Sequence, residues 1–133
     1  MKVAIVGTSK LTCEEEKRIS KSLNEIRSII SFLDTEIITG DAKGVDSLVK
    51  IYFEKLGYNV KVYEAKEKKW DSENGFKDRN IRIAKDADYI FSITTHIKNE
   101  KCYHCNENHQ RTGGCYVLKY GRFIGKKGEV IIV

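Results

Sequence analysis

Residues 39–47 have the sequence TGDAKGVDS and join a short apolar run to an amphipathic helix through two glycines, Gly40 and Gly44. Residues 36–38 before this turn are typical of a buried strand, and apolar side chains recur at helical spacing after it. Glycines at such a junction let the backbone approach a ligand closely, and the helix start offers free N–H groups at the positive end of its dipole. The turn therefore suits a bound phosphate, although a tight turn without a ligand accounts for both glycines equally well.

The length and composition of the chain are typical of a single soluble domain. Its 133 residues are 41% hydrophobic and 32% charged, which is enough apolar material for one buried core. No apolar run approaches the roughly 20 residues that span a bilayer, and residues 3–6 are too short a run for a secretory signal. We therefore expect a cytoplasmic protein without membrane contact. The net charge of +5 is dispersed among 19 acidic residues and only permits an anionic partner.

Strand-like and helix-like segments alternate along the whole chain. Strands are predicted at residues 2–6, 36–38, 58–64, 88–93 and 129–133, and helices at residues 12–33, 45–56, 78–87 and 113–124. Because parallel strands need crossover connections, this alternation predicts a single α/β domain over residues 1–133 with a Rossmann-like, three-layer architecture. We expect a five-stranded, mainly parallel sheet of order 3-2-1-4-5 with helices on both faces.

The predicted strand order also predicts where a ligand binds. In open α/β sheets, ligands lie beyond the carboxyl ends of the strands, at the point where the strand order reverses. This point falls between the first and fourth strands, so residues 7–9, the segment after Ile93 and the turn at residues 40–46 surround it. The first turn lacks the G-x-G-x-x-G pattern, which argues against an ordinary dinucleotide oxidoreductase.

Four short motifs occur in order along nearly the whole chain. They are VAIVGTS at residues 3–9, ITGDAKGVD at residues 38–46, Arg79-Asn80 with Ala84 and Asp88, and TGG at residues 112–114. Together they resemble the successive motifs of the SLOG superfamily, which includes DprA/Smf DNA-processing proteins, LOG-type phosphoribohydrolases and YspA-like domains. The resemblance implies a Rossmann-like fold that binds a nucleotide-type ligand. The residues implied to contact that ligand are Gly7, Thr8, Ser9, Gly40, Asp41, Ala42, Lys43, Gly44, Asp46, Arg79, Asn80, Thr112, Gly113 and Gly114.

The family's activities carry over only in part. LOG-type enzymes place a glutamate in the helix after their glycine motif, whereas residues 112–120, TGGCYVLKY, contain no acid. This departure counts against phosphoribohydrolase activity. The enzymatic hypothesis that stays open is hydrolysis of a nucleotide or an N-glycosidic bond, with Arg79 as the candidate catalytic residue that stabilises phosphate charge. The backbone at Gly113 and Gly114 would then bind an oxyanion.

Two aspartates lie near the expected phosphate. Asp46 falls in the first turn of its helix, where the simpler interpretation is that its carboxylate stabilises the helix dipole. Asp41 would sit close to any bound phosphate, where its charge either disfavours a polyphosphate or meets a ribose hydroxyl. The sequence leaves both roles of Asp41 open.

The alternative function is DprA-like binding of single-stranded nucleic acid. Residues 65–77 combine four lysines with Trp70 and Phe76, so a charged rim with a stacking surface could meet bases. The simpler interpretation is a solvated loop held by one tryptophan. The family resemblance also makes a homodimer through the helical faces plausible.

A second cluster of reactive residues lies in an insertion at residues 94–112 and just after it. Cys102, Cys105, His109 and Cys115 supply four soft or borderline ligands, enough to close a tetrahedral structural zinc site. So long a connection is uncommon in a compact domain, and a metal would order it. Free cysteines, a Cys102–Cys105 redox pair or a disulfide are the alternatives. Cys13, far from this cluster, is interpreted as a small core residue.

Overall fold

The computed structural model of the chain describes residues 1–102, 106, 108–109 and 112–133, with the backbone alone at residues 98–99. Within these residues the elements in chain order are β1 (Lys2–Gly7), α1 (Cys13–Ile29), β2 (Glu36–Gly40), α2 (Val45–Lys55), β3 (Asn59–Tyr63), α3 (Phe76–Asp86), β4 (Tyr89–Thr94), β5 (His96–Lys101), β6 (Asn108–His109), α4 (Gly113–Phe123) and β7 (Lys127–Ile132). All predicted strands and helices are present, and the insertion before α4 adds β5 and β6.

The main sheet has five parallel strands in the order β3-β2-β1-β4-β7. Since β7 is the fifth strand of this sheet, the predicted order 3-2-1-4-5 and the Rossmann-like α/β fold are confirmed. The order reverses between β1 and β4, where Gly7 pairs with Ile93. This reversal leaves a crevice at the carboxyl ends of the two strands, the usual ligand position in such sheets.

The sheet separates two hydrophobic cores. Successive side chains of β1 point to opposite faces, so Val3 and Ile5 pack with α1 and α2, while Ala4 and Val6 pack with α3 and α4. All four side chains are buried. β1 is therefore a central strand covered on both faces, and its carboxyl end is held between the two helix layers.

The first helix begins as predicted but ends early. Thr12 and Glu15 form a reciprocal capping box, in which each side chain accepts a hydrogen bond from the backbone N–H of the other residue. α1 ends at Ile29, and the next residue has extended backbone geometry. The sequence predicted that the buried stripe of this helix reaches Phe32 and Leu33. This prediction is wrong, because both side chains lie beyond the helix and are exposed.

The insertion at residues 94–112 contains regular structure. β5 and β6 pair antiparallel, with His96 opposite His109. This small ladder follows β4 directly and leads back towards the start of α4. None of the helices in the described part of the chain is long and apolar enough to cross a membrane.

Candidate functional site

A cavity of about 510 Å³ opens where the strand order reverses. Its walls come from the turns after β1 and β2, from α3 and the loop before it, and from the start of α4. Of the residues that the family resemblance implied, those that line the cavity are Gly7, Thr8, Ser9, Asp41, Ala42, Lys43, Asp46, Arg79, Asn80, Thr112, Gly113 and Gly114. The structure therefore brings the four sequence motifs to one place.

Gly40 and Gly44, which were predicted to contact the ligand, lie behind the cavity wall and do not line the cavity. Gly44 has φ +77°, and a Cβ there would lie 2.4 Å from the carbonyl oxygen of Thr8. A Cβ on Gly40 would lie 2.5 Å from Oδ2 of Asp46. Both glycines thus serve close packing, and the interpretation as a tight turn accounts for them without a ligand.

The start of α4 forms part of the cavity wall because two glycines allow close packing. A Cβ on Gly114 would lie 2.9 Å from the Cα of Gly7, and a Cβ on Gly7 would lie 1.9 Å from the carbonyl oxygen of Ile93. α4 is capped by Thr112, whose side chain accepts from the N–H of Cys115 at 3.2 Å, and no acid occupies its first turn. The positive end of the α4 dipole therefore lies at the cavity, and the first turn of the helix itself supplies no carboxylate to offset it.

Arg79 is buried, and its guanidinium is fixed in place. Nη1 forms an ion pair with Oδ1 of Asp41, and Nε donates to Oδ1 of Asn80 at 2.9 Å. The guanidinium carbon also lies 5.6 Å from the ring centre of Phe76. Asp41 in turn lies 3.8 Å from Nζ of Lys68 and accepts from a backbone N–H. An anionic ligand would therefore share Arg79 with Asp41.

Asp46 lies in the first turn of α2, as the sequence predicted, and is buried there. The residue is 4% exposed, Oδ2 accepts from the N–H of Ala42 at 3.3 Å, and Oδ1 has no hydrogen-bond partner among the residues that the structure describes. Burial raises the pKa of Asp46 to about 7, although the nearby Arg79 charge and the Ala42 N–H act to lower it. The carboxyl is thus poised to hold or release a proton near neutral pH, which makes it more than a dipole-stabilising group.

Three of the four predicted metal ligands lie together in the structure. Cys102, His109 and Cys115 are all buried, and their ligand atoms lie within 4.8 Å of one another. This Cys/His group could hold a metal ion. Cys105, the fourth predicted ligand, lies outside the described residues, and Cys13, predicted to be a core residue, is exposed at the first position of α1.

Hydrogen bonds connect the Cys/His group to the cavity. Oγ1 of Thr94 lies 3.1 Å from Nδ1 of His109 and 3.0 Å from Oγ1 of Thr8, and Thr8 lines the cavity. On the other side of the imidazole, Nε2 lies 3.3 Å from Sγ of Cys115, which is 3.4 Å from Oγ of Ser92. Four buried polar side chains from three segments of the chain therefore form one connected network with a thiol.

Comparisons of the chain with protein-family models, with curated proteins and with solved structures found no match. The resemblance to the SLOG superfamily therefore stays a prediction that the four motifs carry.

An aromatic row leads away from the cavity along α4. Trp70 lines the cavity and meets Tyr116 edge to face, with ring centres 4.9 Å apart. Tyr116 stacks on Tyr120 at 6.4 Å, and Tyr120 lies 6.4 Å from Phe123, which is largely exposed. We call Trp70, Tyr116, Tyr120 and Phe123 the aromatic row.

Sequence reasoning missed the role of Ser92 and Thr94. Both are fully buried in β4, where they share one face with the period of two that a strand imposes. Polar residues in a strand covered on both faces need hydrogen-bond partners, so Ser92 and Thr94 in the sequence could have indicated a buried hydrogen-bond network. Val6 and Lys10 also line the cavity and were not predicted, whereas Lys68, Trp70 and Phe76 had been assigned to the stacking rim of the alternative function.

Proposed function

We propose that the chain binds a nucleotide or a nucleotide-derived ligand in the cavity at the carboxyl ends of β1, β2 and β4. The observation that carries the proposal is the convergence of the acid-free start of α4 and the buried Arg79 on this one cavity. A helix N-terminus and a guanidinium both favour phosphate oxygens. The volume of about 510 Å³ lies within the range of small-ligand sites.

The walls also suit the uncharged parts of a nucleotide. Trp70 and Phe76 offer ring surfaces against which a base can stack. Asp41 pairs with Nη1 of Arg79 through one oxygen, and its second oxygen, which accepts from the N–H of Ala65, can also accept from a ribose hydroxyl. Phosphate, sugar and base would thus each meet a matching group.

Hydrolysis is the reaction class that these side chains support. A carboxyl group with a pKa of about 7, as burial produces at Asp46, is suited to proton transfer at neutral pH. Arg79 would stabilise developing negative charge on phosphate, and the N–H groups at Gly113 and Gly114 would contribute to the same task. Cleavage of a nucleotide or an N-glycosidic bond fits this division of roles.

The substitution Arg79→Lys tests the phosphate role. Lysine can pair with Asp41 but cannot also donate in a fixed plane to Asn80 and a phosphate. The affinity for adenosine 5′-monophosphate should fall about tenfold, since a hydrogen bond to a charged group contributes about 1.5 kcal/mol or more. The affinity for adenosine should change less than about twofold. Isothermal titration calorimetry measures both.

Arg82→Lys is the matched control, because Arg82 lies on the same helix, is exposed and donates to the carbonyl of Glu64 outside the cavity. It should leave both affinities unchanged. Equal losses for nucleotide and nucleoside in the Arg79 variant would argue against a phosphate contact. Absence of binding by either compound to the wild-type protein would remove the proposed function itself.

We further propose that the metal of the Cys/His group is zinc and that its role is structural. Two thiolates and an imidazole are ligands that zinc favours, and Cys105 would complete and close the tetrahedron. Such a site would order the insertion at residues 94–112 and hold the start of α4 through Cys115. Chelation should then expose residues 106–111 to proteolysis while the main sheet stays folded.

Elemental analysis of protein purified without added metal should find about one zinc per chain, as a single four-ligand site requires. Cys115→Ser should reduce the zinc content by at least about tenfold, because serine is a poor zinc ligand. Cys13→Ser is the matched control, since that cysteine is exposed and distant from the group, and it should keep the full content. Metal-free protein with a Cys102–Cys105 disulfide would contradict the zinc assignment.

A second candidate function is binding of single-stranded nucleic acid, and the aromatic row is the observation that favours it. Residues 112–128, which form α4 and the segment after it, carry four cations and no acid, so three of the four rings lie on a positively charged part of the chain. Bases stack on such rings while cations neutralise the phosphates. The response to salt separates the candidates: the affinity for an oligonucleotide should fall steeply as salt rises, whereas that for a mononucleotide should change modestly.

A further inference from the structure

Thr94 lies between the Cys/His group and the cavity. Its hydroxyl oxygen is 3.1 Å from Nδ1 of His109 and 3.0 Å from the hydroxyl oxygen of Thr8. Thr94 is fully buried and Thr8 nearly so, yet Thr8 lines the cavity. The segment His109–Thr94–Thr8 is therefore a short hydrogen-bond chain with a possible metal ligand at one end and the ligand cavity at the other.

Each member of this chain has one proton to donate. A hydroxyl donates once and accepts at its lone pairs, and a neutral imidazole carries its proton on one nitrogen only. The direction of the whole chain is therefore set by which nitrogen of His109 holds the proton. Reversing that choice reverses both hydroxyls without changing any charge.

A metal bound by the Cys/His group would allow only one direction. Nε2 of His109 faces Cys115, so it is the nitrogen that would bind the metal, and the proton must then sit on Nδ1. Nδ1 donates to Thr94, and Thr94 in turn donates to Thr8. The Thr8 hydroxyl, having accepted this bond, keeps its own proton for an acceptor in the cavity.

Without metal, the opposite direction is equally compatible with the distances. Nε2–H can donate to Sγ of Cys115 at 3.3 Å, and Nδ1 then accepts from Thr94. Thr94 accepts from Thr8, whose proton is thereby turned away from the cavity. The cavity then meets only the lone pairs of Thr8, which repel an anionic oxygen.

We propose that Thr94 is a positioning residue that makes the Thr8 hydroxyl a hydrogen-bond donor to an anionic oxygen when the Cys/His group holds its metal. Metal and anionic ligand would then bind cooperatively. This inference rests on the proposed nucleotide site and on the proposed metal, and it adds a route by which one affects the other. By linkage, the ligand would raise the affinity for the metal by the same factor.

A competing route exists through the start of α4. Cys115 is both a candidate metal ligand and the residue whose N–H is capped by Thr112. A metal on Cys115 could therefore stiffen the helix start and improve ligand binding without Thr94. The two routes differ in one respect: the route through His109, Thr94 and Thr8 depends on the hydroxyl of Thr94, and the route through Cys115 does not.

The test compares zinc-loaded protein with protein freed of zinc by chelation, using adenosine 5′-monophosphate as the probe. In the wild type, the zinc-loaded form should bind the probe at least about fivefold more tightly, the lower end of common coupling factors. Thr94→Val keeps the size of the side chain but removes the hydroxyl, so the ratio should fall to about one. Thr94→Ser restores the hydroxyl and should restore the ratio.

Thr39→Val is the matched control, because Thr39 is fully buried in β2 and donates to the carbonyl of Ile5, outside the network of the Cys/His group. It should keep the wild-type ratio. Nitrogen-15 NMR of the His109 ring supplies a second readout that does not require the nucleotide. It should find the proton on Nδ1 in the zinc-loaded protein.

The possible outcomes separate this inference from the proposed function. A ratio that survives in Thr94→Val assigns the coupling to the start of α4 and overturns the role of Thr94. Equal nucleotide affinity with and without zinc overturns it as well but leaves the nucleotide site standing. The inference is also overturned if zinc does not bind, or if the zinc-loaded protein carries the His109 proton on Nε2. If the nucleotide binds to neither form, both the inference and the proposed function are overturned.

Discussion

Replacing Gly7 by alanine is expected to lower the free energy of unfolding by more than about 4 kcal/mol, a loss that only the most disruptive single substitutions reach. A Cβ at this position would lie 1.9 Å from the carbonyl oxygen of Ile93, which also accepts from the N–H of Thr8 at 3.1 Å. β1 and β4 would have to separate at the point where they form the cavity. Urea unfolding followed by circular dichroism measures the loss.

Gly125→Ala is the matched control for Gly7→Ala. Gly125 has φ +90° and nothing within 4 Å of a built Cβ, so its substitution strains the backbone without any clash. That strain should cost about 1 to 2 kcal/mol. A Gly7 variant that is no less stable than the Gly125 variant would show that the strands can separate at little cost, contrary to the packing at this junction.

Asp46→Asn should abolish a pH dependence that the wild-type protein displays between about pH 4 and pH 7. Burial raises the pKa of Asp46 from its ordinary value of 3.8 to about 7. Within that window the folded protein holds a proton that the unfolded chain has already released. The free energy of unfolding therefore falls as pH rises, by about 1.4 kcal/mol per pH unit and about 4 kcal/mol in all.

Asparagine has the same shape as aspartate and no charge, so the variant should match the wild type near pH 4 and be more stable than it above pH 7. Subtracting one profile from the other removes every titration that the two proteins share. One such titration is that of Asp86, whose pKa is lowered to about 2 chiefly by its hydrogen bonds with Lys2 and Tyr63. Asp86 loses its stabilising effect as pH falls below about 4, outside the window of Asp46. Parallel profiles for the two proteins would contradict the assignment.

The order of strands and helices could be predicted because it depends on neighbouring residues. Side-chain alternation of period two, helical spacing and the pairing of Thr12 with Glu15 all act over a few residues. Strands that alternate with helices need crossover connections, and because these crossovers are right-handed, only a few strand orders are possible. The observed order is one of them. The place of the cavity followed in turn, because ligand sites in such sheets lie at the reversal of strand order.

The chemistry of individual side chains could not be predicted in the same way. Asp46 and Arg79 looked like a helix-dipole residue and an available phosphate ligand. In the fold, Asp46 is buried beside Gly40, and Arg79 is paired with Asp41, which lies 38 positions away in the chain. Burial and a neighbouring charge decide the pKa and availability of a group, and both depend on residues that only tertiary packing brings together.

The sequence by itself therefore determined the α/β fold, the edge of the sheet that carries the cavity and the cysteines and histidine that could hold a metal. Only the tertiary structure decided which side chains connect the cavity to the Cys/His group by hydrogen bonds. Thr8 and Thr94 are 86 positions apart, and their hydroxyls meet because β1 and β4 are neighbours in the sheet. The physical reason is one of range: periodicity and turn chemistry act between adjacent residues, whereas hydrogen-bond partners in a core are set by the packing of distant strands.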